Sequence, residues 1–156
     1  MRRAMAEKGI EVTALHSHML EEQPWLFVMR FWASDDDGAE LAQVVKAELD
    51  KNGLTMPTGH FSLDMLENDF TGAERIAKTL GMKVIICPHI AADLRPSDAA
   101  GWRGFGERLA RVGETAKAAG YEFAWHNHDF EFKPLADGSV PQDHILEVAP
   151  DIGWEM

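Results

Sequence analysis

From about residue 50 onward, two patterns of apolar and polar positions alternate along the chain. Short apolar runs rich in β-branched and aromatic residues are separated by longer segments whose apolar residues recur at helical spacing. The first pattern predicts strands and the second predicts helices. The predicted strands lie within residues 53–60, 83–89, 121–128 and 152–156, and the predicted helices lie within residues 70–82, 96–120 and 142–149.

Strands that alternate with helices through short loops predict a parallel sheet with right-handed crossovers. Such a run belongs either to a doubly wound sheet or to part of a (β/α)₈ barrel. The glycine-rich loops GxGxxG and GxxxxGK, which would favour a nucleotide-binding doubly wound sheet, are absent from the sequence. The glycines of "GWRGFGE" (residues 101–107) lie inside a predicted helix and not after a strand.

Histidines at the strand ends favour the barrel. His60 ends the first of these strands, His89 the second, and His126 and His128 the third, while Glu155 lies in the fourth. In a parallel barrel the carboxyl ends of all strands open onto one face, where active sites are built. We therefore expect these histidines to converge, although each could instead be a structural histidine.

The first fifty residues follow a different pattern. Apolar and polar residues alternate in "IEVTALHSHML" and in "WLFVMRFWAS", with "EEQP" between them, which predicts an antiparallel hairpin. A helix is predicted to follow within residues 35–53. His16 and His18 would share one face of the first strand, where they could chelate a metal or lie on a solvated face.

Composition excludes several classes of protein. The 156 residues suit one ordinary domain, and a net charge of −11 without a block of Lys or Arg argues against a nucleic-acid partner. The single cysteine, Cys87, cannot form an internal disulfide, and its apolar neighbours predict a buried residue. No apolar run approaches the length of a membrane span, and no apolar signal-peptide core follows the first residues. We therefore expect a cytoplasmic protein without membrane contact.

Several segments carry a resemblance to a known family. The sequences "GLTMPTGHFSLDML", "IAKTLGMKVIICPH", "WRGFGERLARVGETAKAAGYEFAWHNHDFEF" and "APDIGWEM" resemble the sugar phosphate isomerase/epimerase family of xylose-isomerase-like TIM barrels. The resemblance covers roughly residues 45–156, and "HNHDFEF" is its most specific motif. It implies that residues 46–156 form a partial (β/α)₈ barrel of about four parallel units.

The N-terminal residues 1–45 resemble another family. Their "ALHSHM…FWA" pattern is similar to that of the LppY/LpqO-type family of unknown function, so we expect a hairpin-plus-helix segment of different origin. At the other end, the barrel family continues its strand as W-E-x-D, whereas this sequence stops at Met156 before that aspartate. Because a complete barrel needs about 250 residues, we expect a barrel fragment.

The resemblance also implies a chemistry. Members of the barrel family commonly use a divalent cation (Mn, Mg, Zn or Co) to assist proton transfer beside a carbonyl. His126 stands where many relatives have a liganding glutamate, so it is the first metal candidate. Glu131 is the candidate acid/base and a further metal ligand, the alternative being a solvated rim carboxylate. His128 is a candidate catalytic residue, with a supporting hydrogen bond to a ligand as its alternative.

The expected partner is a small sugar or sugar phosphate, with His60, His89 and Trp125 as substrate-binding candidates. One alternative is an inactive fragment or an interaction or structural module, whose exposed barrel edges would favour homo-oligomers. Another is an endonuclease-IV-like metal-dependent hydrolase, since that group gathers zinc with histidines on consecutive strand ends. The acidic chain lacks the basic residues that such an enzyme needs for DNA.

Overall fold

A computed structural model describes residues 11–16, 28–32 and 38–155 of the chain. The chain divides into two compact units, residues 1–56 and residues 57–156. The predicted difference in origin between residues 1–45 and 46–156 stays a prediction.

The first unit contains a hairpin and a helix. Strand β1 (Glu11–His16) pairs with strand β2 (Val28–Trp32) in the antiparallel sense, as the alternation predicts. Helix α1 (Gly38–Lys51) is amphipathic, and its buried residues are Ala42, Val45 and Leu49. The predicted "EEQP" turn and His18 lie outside the described residues.

The second unit is built on a four-stranded parallel sheet. Its strands are β3 (Thr58–His60), β4 (Val84–Cys87), β5 (Glu122–His126) and β6 (Gly153–Glu155), and they are neighbours in that order. Every pairing is parallel, so all four carboxyl ends lie at the same edge. This α/β arrangement is that of a partial TIM barrel, which confirms the predicted fold class.

Helices connect these strands. They are α2 (Leu63–Asn68), α3 (Phe70–Leu80), α4 (Ala99–Ala118) and α5 (Pro141–Val148), with short 3₁₀ helices at Ala92–Leu94 and Phe130–Phe132. The sequence pattern predicts all of the α-helices except α2, which begins where Ser62 Oγ accepts a hydrogen bond from the Met65 amide at 3.2 Å. Helix α3 ends at Gly81, whose φ of 76° suits glycine.

Part of the core lies between the sheet and helices α4 and α5, and helices α2 and α3 contribute further buried residues. The predicted apolar stripe of α4 is confirmed, since its members Trp102, Phe105, Leu109 and Val112 are all buried. The two helices approach closely at Gly106, where a Cβ atom would lie 2.6 Å from Cγ2 of Val148. This packing fixes the position of β5, which carries the "HNH" motif at its carboxyl end.

Of the helices in the described ranges, none is long and apolar enough to cross a membrane. The cytoplasmic location stays a prediction.

Candidate functional site at the strand ends

The histidines that follow successive strands come together at the carboxyl edge of the sheet. The His60 and His126 rings stack with their centroids 5.5 Å apart. The His128 ring lies 4.9 Å from that of His126 and 5.5 Å from that of His89. The predicted convergence is therefore confirmed, although His89 and His128 lie just beyond the strands and not in them.

Glu155 joins two of these histidines. Its Oε2 atom lies 2.7 Å from Nε2 of His60 and 3.3 Å from Nδ1 of His126. We call His60, His126 and Glu155 the strand-end cluster. Strands β3 and β6 are the outer strands of this sheet. Glu155, at the end of β6, therefore spans β4 and β5 and connects the two outer strands.

Hydrogen bonding assigns the tautomer of His126. Its Nδ1 atom lies 3.0 Å from the backbone carbonyl oxygen of Glu155, which can only accept, so Nδ1 carries the proton. Within the described residues, Nε2 of His126 has no hydrogen-bond partner. This ring nitrogen remains available to a ligand.

Glu131 lies in a different environment. Its side chain is 0% exposed, so the alternative of a solvated rim carboxylate is wrong. Oε1 accepts a hydrogen bond from Nε1 of Trp125 at 3.1 Å, and Oε2 accepts one from the His128 amide at 2.9 Å. Both oxygens are thus engaged inside the protein, and the carboxylate holds the segment after β5 against the core.

Trp125 also lies in the interior. The side chain is 0% exposed, and its ring packs against that of Phe105 with centroids 5.2 Å apart. A sugar therefore has no surface of Trp125 to contact in this structure. This corrects the expectation of a substrate-binding tryptophan, because the residue occupies the face of β5 that is covered by helix α4.

A second group of side chains adjoins the strand-end cluster. The guanidinium of Arg95 lies over the Phe130 ring, with Cζ 3.6 Å from the centroid, and its Nη2 atom is 3.2 Å from Nε2 of His89. The His128 ring stacks on Phe130 at an interplanar angle of 11°. We call His89, Arg95, His128 and Phe130 the arginine cluster.

Sequence reasoning did not select Arg95 or Glu155 as site residues. Arg95 follows a 3₁₀ turn in a loop and belongs to no motif, so no local pattern identifies it. Glu155 did give a signal, because it occupies the end of the fourth strand as the histidines do in the first three. The contact of Glu155 in β6 with His60 in β3 depends on the two outer strands lying close together.

Electrostatics distinguish two further residues. Burial lowers the pKa of His128, and the neighbouring His126, His89 and Arg95 lower it further, while Glu131 opposes the shift. His128 is therefore neutral near pH 7. Cys87 is buried, as predicted, and burial raises the pKa of its thiol to about 12.

The donor set does not make a metal centre by itself. In the described parts of the chain, no group of three or more His, Cys, Asp or Glu side chains is placed to hold a metal ion. Both oxygens of Glu131 accept hydrogen bonds from internal donors, Nε1 of Trp125 and the His128 amide. The divalent metal, with His126 and Glu131 as ligands, stays a prediction.

Comparison with solved structures supports the fold. The chain is similar to a sugar phosphate isomerase/epimerase from Parabacteroides distasonis ATCC 8503, with a TM-score of 0.63 and 21% identity over 73% of this chain and 46% of that one. A second sugar phosphate isomerase/epimerase from the same organism gives a TM-score of 0.61 and 19% identity over 72% of this chain and 50% of that one. The chain thus spans about half the length of these proteins, and the likeness establishes the partial barrel fold.

Comparison with family models concerns the other unit. Residues 1–51 match a model described as Domain of Unknown Function (DUF1259). The match brings no function, and the resemblance of residues 1–45 to the LppY/LpqO-type family stays a prediction. No curated protein matches the chain.

Proposed function

We propose that residues 57–156 form part of the site of a sugar isomerase or epimerase that transfers a proton beside a carbonyl. The observation that carries the proposal is Glu155 at the carboxyl edge of the sheet, 2.7 Å from His60 and 3.3 Å from His126. The solved sugar phosphate isomerase/epimerases with the same partial fold support this class of reaction. The activity of a complete enzyme is part of the proposal.

Glu155 is the proposed base. Its side chain is 37% exposed, so one carboxylate can meet both a substrate and its histidine partners. It accepts the proton from the carbon beside the carbonyl while the electrons of the C–H bond form the double bond of an enediol. Return of that proton to the neighbouring carbon gives the isomer. A positioned acid or base of this kind contributes about 10²–10⁴-fold to a rate.

The two histidines of the strand-end cluster have distinct proposed roles. Nε2 of His60 donates to Glu155, and we propose that His60 passes a proton to the developing substrate oxygen and recovers it when the carbonyl forms again. His126 is fixed by its Nδ1 bond to the Glu155 carbonyl oxygen, which leaves Nε2 to accept from a substrate hydroxyl. His60 therefore acts as the acid, and His126 orients the substrate.

Glu131, His128 and Trp125 receive revised roles in this proposal. Glu131 is a positioning residue, because its hydrogen bonds from the Trp125 indole and the His128 amide determine the path of the chain after β5. That path places the His128 ring beside His126. His128 lines the site as a neutral ring, and Trp125 packs in the core.

The test is exchange of carbon-bound hydrogen. The chain is incubated in D₂O with a panel of aldoses, ketoses and their phosphates, and deuterium beside the carbonyl is measured by mass spectrometry. The wild type is expected to incorporate deuterium, and Glu155→Gln is expected to slow incorporation by about 10²–10⁴-fold. Glu147→Gln is the matched control, because Glu147 is an exposed carboxylate that pairs with Arg103.

Two outcomes would overturn the proposal. Absence of exchange with every sugar would favour the alternative of an interaction or structural module. Equal exchange by wild type and Glu155→Gln would show that the base is another residue.

A further inference from the structure

The cation of the arginine cluster has no ion pair with a described residue, unlike the two arginines of α4 that pair with glutamates. Arg108 pairs with Glu67, and Arg103 pairs with Glu147, each at 2.7 Å. In the described part of the chain, no carboxylate lies within ion-pair distance of Arg95.

One acidic residue whose charge interacts with Arg95, Asp129, pairs with another cation. The Asp129 carboxylate lies 2.7 Å from Nζ of Lys133. The Lys133 hydrogen bond is the main cause of the lowered pKa of Asp129, and the Arg95 charge contributes least. The guanidinium is thus left with unneutralised positive charge at the edge where substrates of such folds bind.

Internal contacts hold the Arg95 side chain in place. Nε donates to the Ile90 carbonyl oxygen at 3.2 Å, and the guanidinium plane is stacked over Phe130. A guanidinium has five N–H donors, and the contacts with Ile90 and His89 use two of them. The remaining donors have no partner among the described residues, so a preorganised arginine presents free N–H groups.

His89 supplies a further donor. An arginine cannot accept a hydrogen bond, so Nε2 of His89 accepts from Nη2 of Arg95. The proton of the neutral imidazole therefore resides on Nδ1. This N–H group has no partner among the residues that the structure describes, and the His89 side chain is exposed.

We propose that the arginine cluster binds the carboxylate of a small acidic ligand, with Arg95 and the Nδ1–H group of His89 as its donors. The planar guanidinium fork matches a carboxylate in shape and in hydrogen-bond geometry. The cluster contains one permanent cation, which matches the single charge of a carboxylate more closely than the double charge of a phosphate ester. The His128 ring beside Phe130 forms an aromatic wall of the site.

The position of the arginine cluster also bears on the substrate of the proposed isomerase. His128 lies beside both His89 and His126, so the anion site adjoins the strand-end cluster. The proposed isomerase would then act on sugar acids. This extension rests on the proposed function, whereas the anion site itself rests on the geometry of Arg95 and His89.

The test is a titration followed by NMR of the histidine rings. The probes are D-gluconate, neutral D-glucitol as its matched polyol, and inorganic phosphate. Gluconate is expected to shift the His89 and His128 signals in a saturable way, glucitol to leave them unchanged, and phosphate to bind more weakly than gluconate.

Variants locate the binding group. Arg95→Gln is expected to weaken gluconate binding roughly tenfold or more, and Arg95→Lys to weaken it less, because the charge remains and the fork is lost. The control is Arg75→Gln, which changes an exposed arginine of α3 in the same way and should have no effect. Glu155→Gln should keep gluconate binding, which separates a failure of the proton-transfer proposal from a failure of this one.

Several results would overturn the inference. They are the absence of a saturable shift with gluconate, an equal response to glucitol, tighter binding of phosphate, and unchanged affinity in folded Arg95→Gln. If that variant does not fold, the three probes on the wild-type protein still decide.

Discussion

Two carboxylates near the carboxyl edge of the parallel sheet occupy opposite environments. Glu131 is 0% exposed and accepts hydrogen bonds from the Trp125 indole and the His128 amide. Glu155 is 37% exposed and contacts the rings of His60 and His126. The first carboxylate is enclosed by donors of its own segment, and the second joins side chains from separate strands at a solvent-facing edge.

The difference separates a structural role from a chemical one. A buried carboxylate is stable where its hydrogen bonds offset the free energy lost on desolvation. Removing the carboxylate leaves its buried donors unpaired. An exposed carboxylate beside histidines adds little to stability, because water competes for each of its contacts. We therefore assign the shape of the "HNH" segment to Glu131 and the proposed proton transfer to Glu155.

The largest expected effect is that of Glu131→Ala. The variant leaves two buried N–H donors without acceptors and opens a cavity, so the free energy of unfolding should fall by about 3–5 kcal/mol. Urea unfolding followed by circular dichroism measures the change. Glu147→Ala, which removes an exposed carboxylate from an ion pair, should cost less than about 1 kcal/mol. Equal losses in both variants would show that the hydrogen bonds of Glu131 add no more to the free energy of unfolding than an exposed ion pair does.

The next effect isolates one of the two bonds. Trp125→Phe leaves Oε1 of Glu131 without its donor, and we expect it to cost about 1–3 kcal/mol more than Trp102→Phe. Trp102 is the matched control, because it is also buried but its Nε1 atom has no hydrogen-bond partner among the described residues. Thermal unfolding of both variants gives the difference. A larger loss in Trp102→Phe would contradict the assigned hydrogen bond.

Cys87 reports on opening of the same region, since it pairs with Trp125 across β4 and β5. Because burial raises its pKa to about 12, the thiol should react with a disulfide reagent only after the sheet opens. Glu131→Ala should accelerate labelling roughly a hundredfold, whereas Glu155→Ala should leave its rate nearly unchanged. Rapid labelling of the native wild type would show that the thiol is accessible.

The smallest effect is a pH dependence at the surface. The hydrogen bond from Arg108 lowers the pKa of Glu67 below its ordinary value. This pair therefore stabilises the folded state above the ordinary glutamate pKa, and the contribution is lost as the pH falls through the lowered value. The loss should stay below about 1 kcal/mol because both side chains are partly exposed.

Thermal melting from neutral to acidic pH tests this prediction. Glu67→Gln should have a smaller acid-induced decrease in melting temperature than the wild type. An identical decrease in the two proteins would assign the acid sensitivity to other groups.

Much of the fold is predictable because its signals are local. The apolar runs of β4 and β5 and the helically spaced apolar residues of α4 can be recognised in the sequence. The short loops between these elements then require the strands to be parallel. Helix α2 is missed because its six residues are too few to display a period, and its start depends on the Ser62 cap.

The candidate site is only partly predictable. The convergence of the histidines follows from topology, since parallel strands place their carboxyl ends at one edge. The burial of Glu131 does not follow, because it depends on an indole donor six positions earlier in the chain. The lack of an ion pair at Arg95 is also not predictable from the sequence. It depends on which acidic residues pair with other cations after folding.

The most direct test of the contrast is the free energy of unfolding of Glu131→Gln and Glu155→Gln, measured together by urea denaturation. Each substitution keeps the size of the side chain and replaces an acceptor oxygen with a donor. We predict a loss of about 1–3 kcal/mol for Glu131→Gln, whose partners are both donors, and a change within about 1 kcal/mol for Glu155→Gln. Equal losses would contradict the account, because Glu155 would then be held for the fold and not for chemistry.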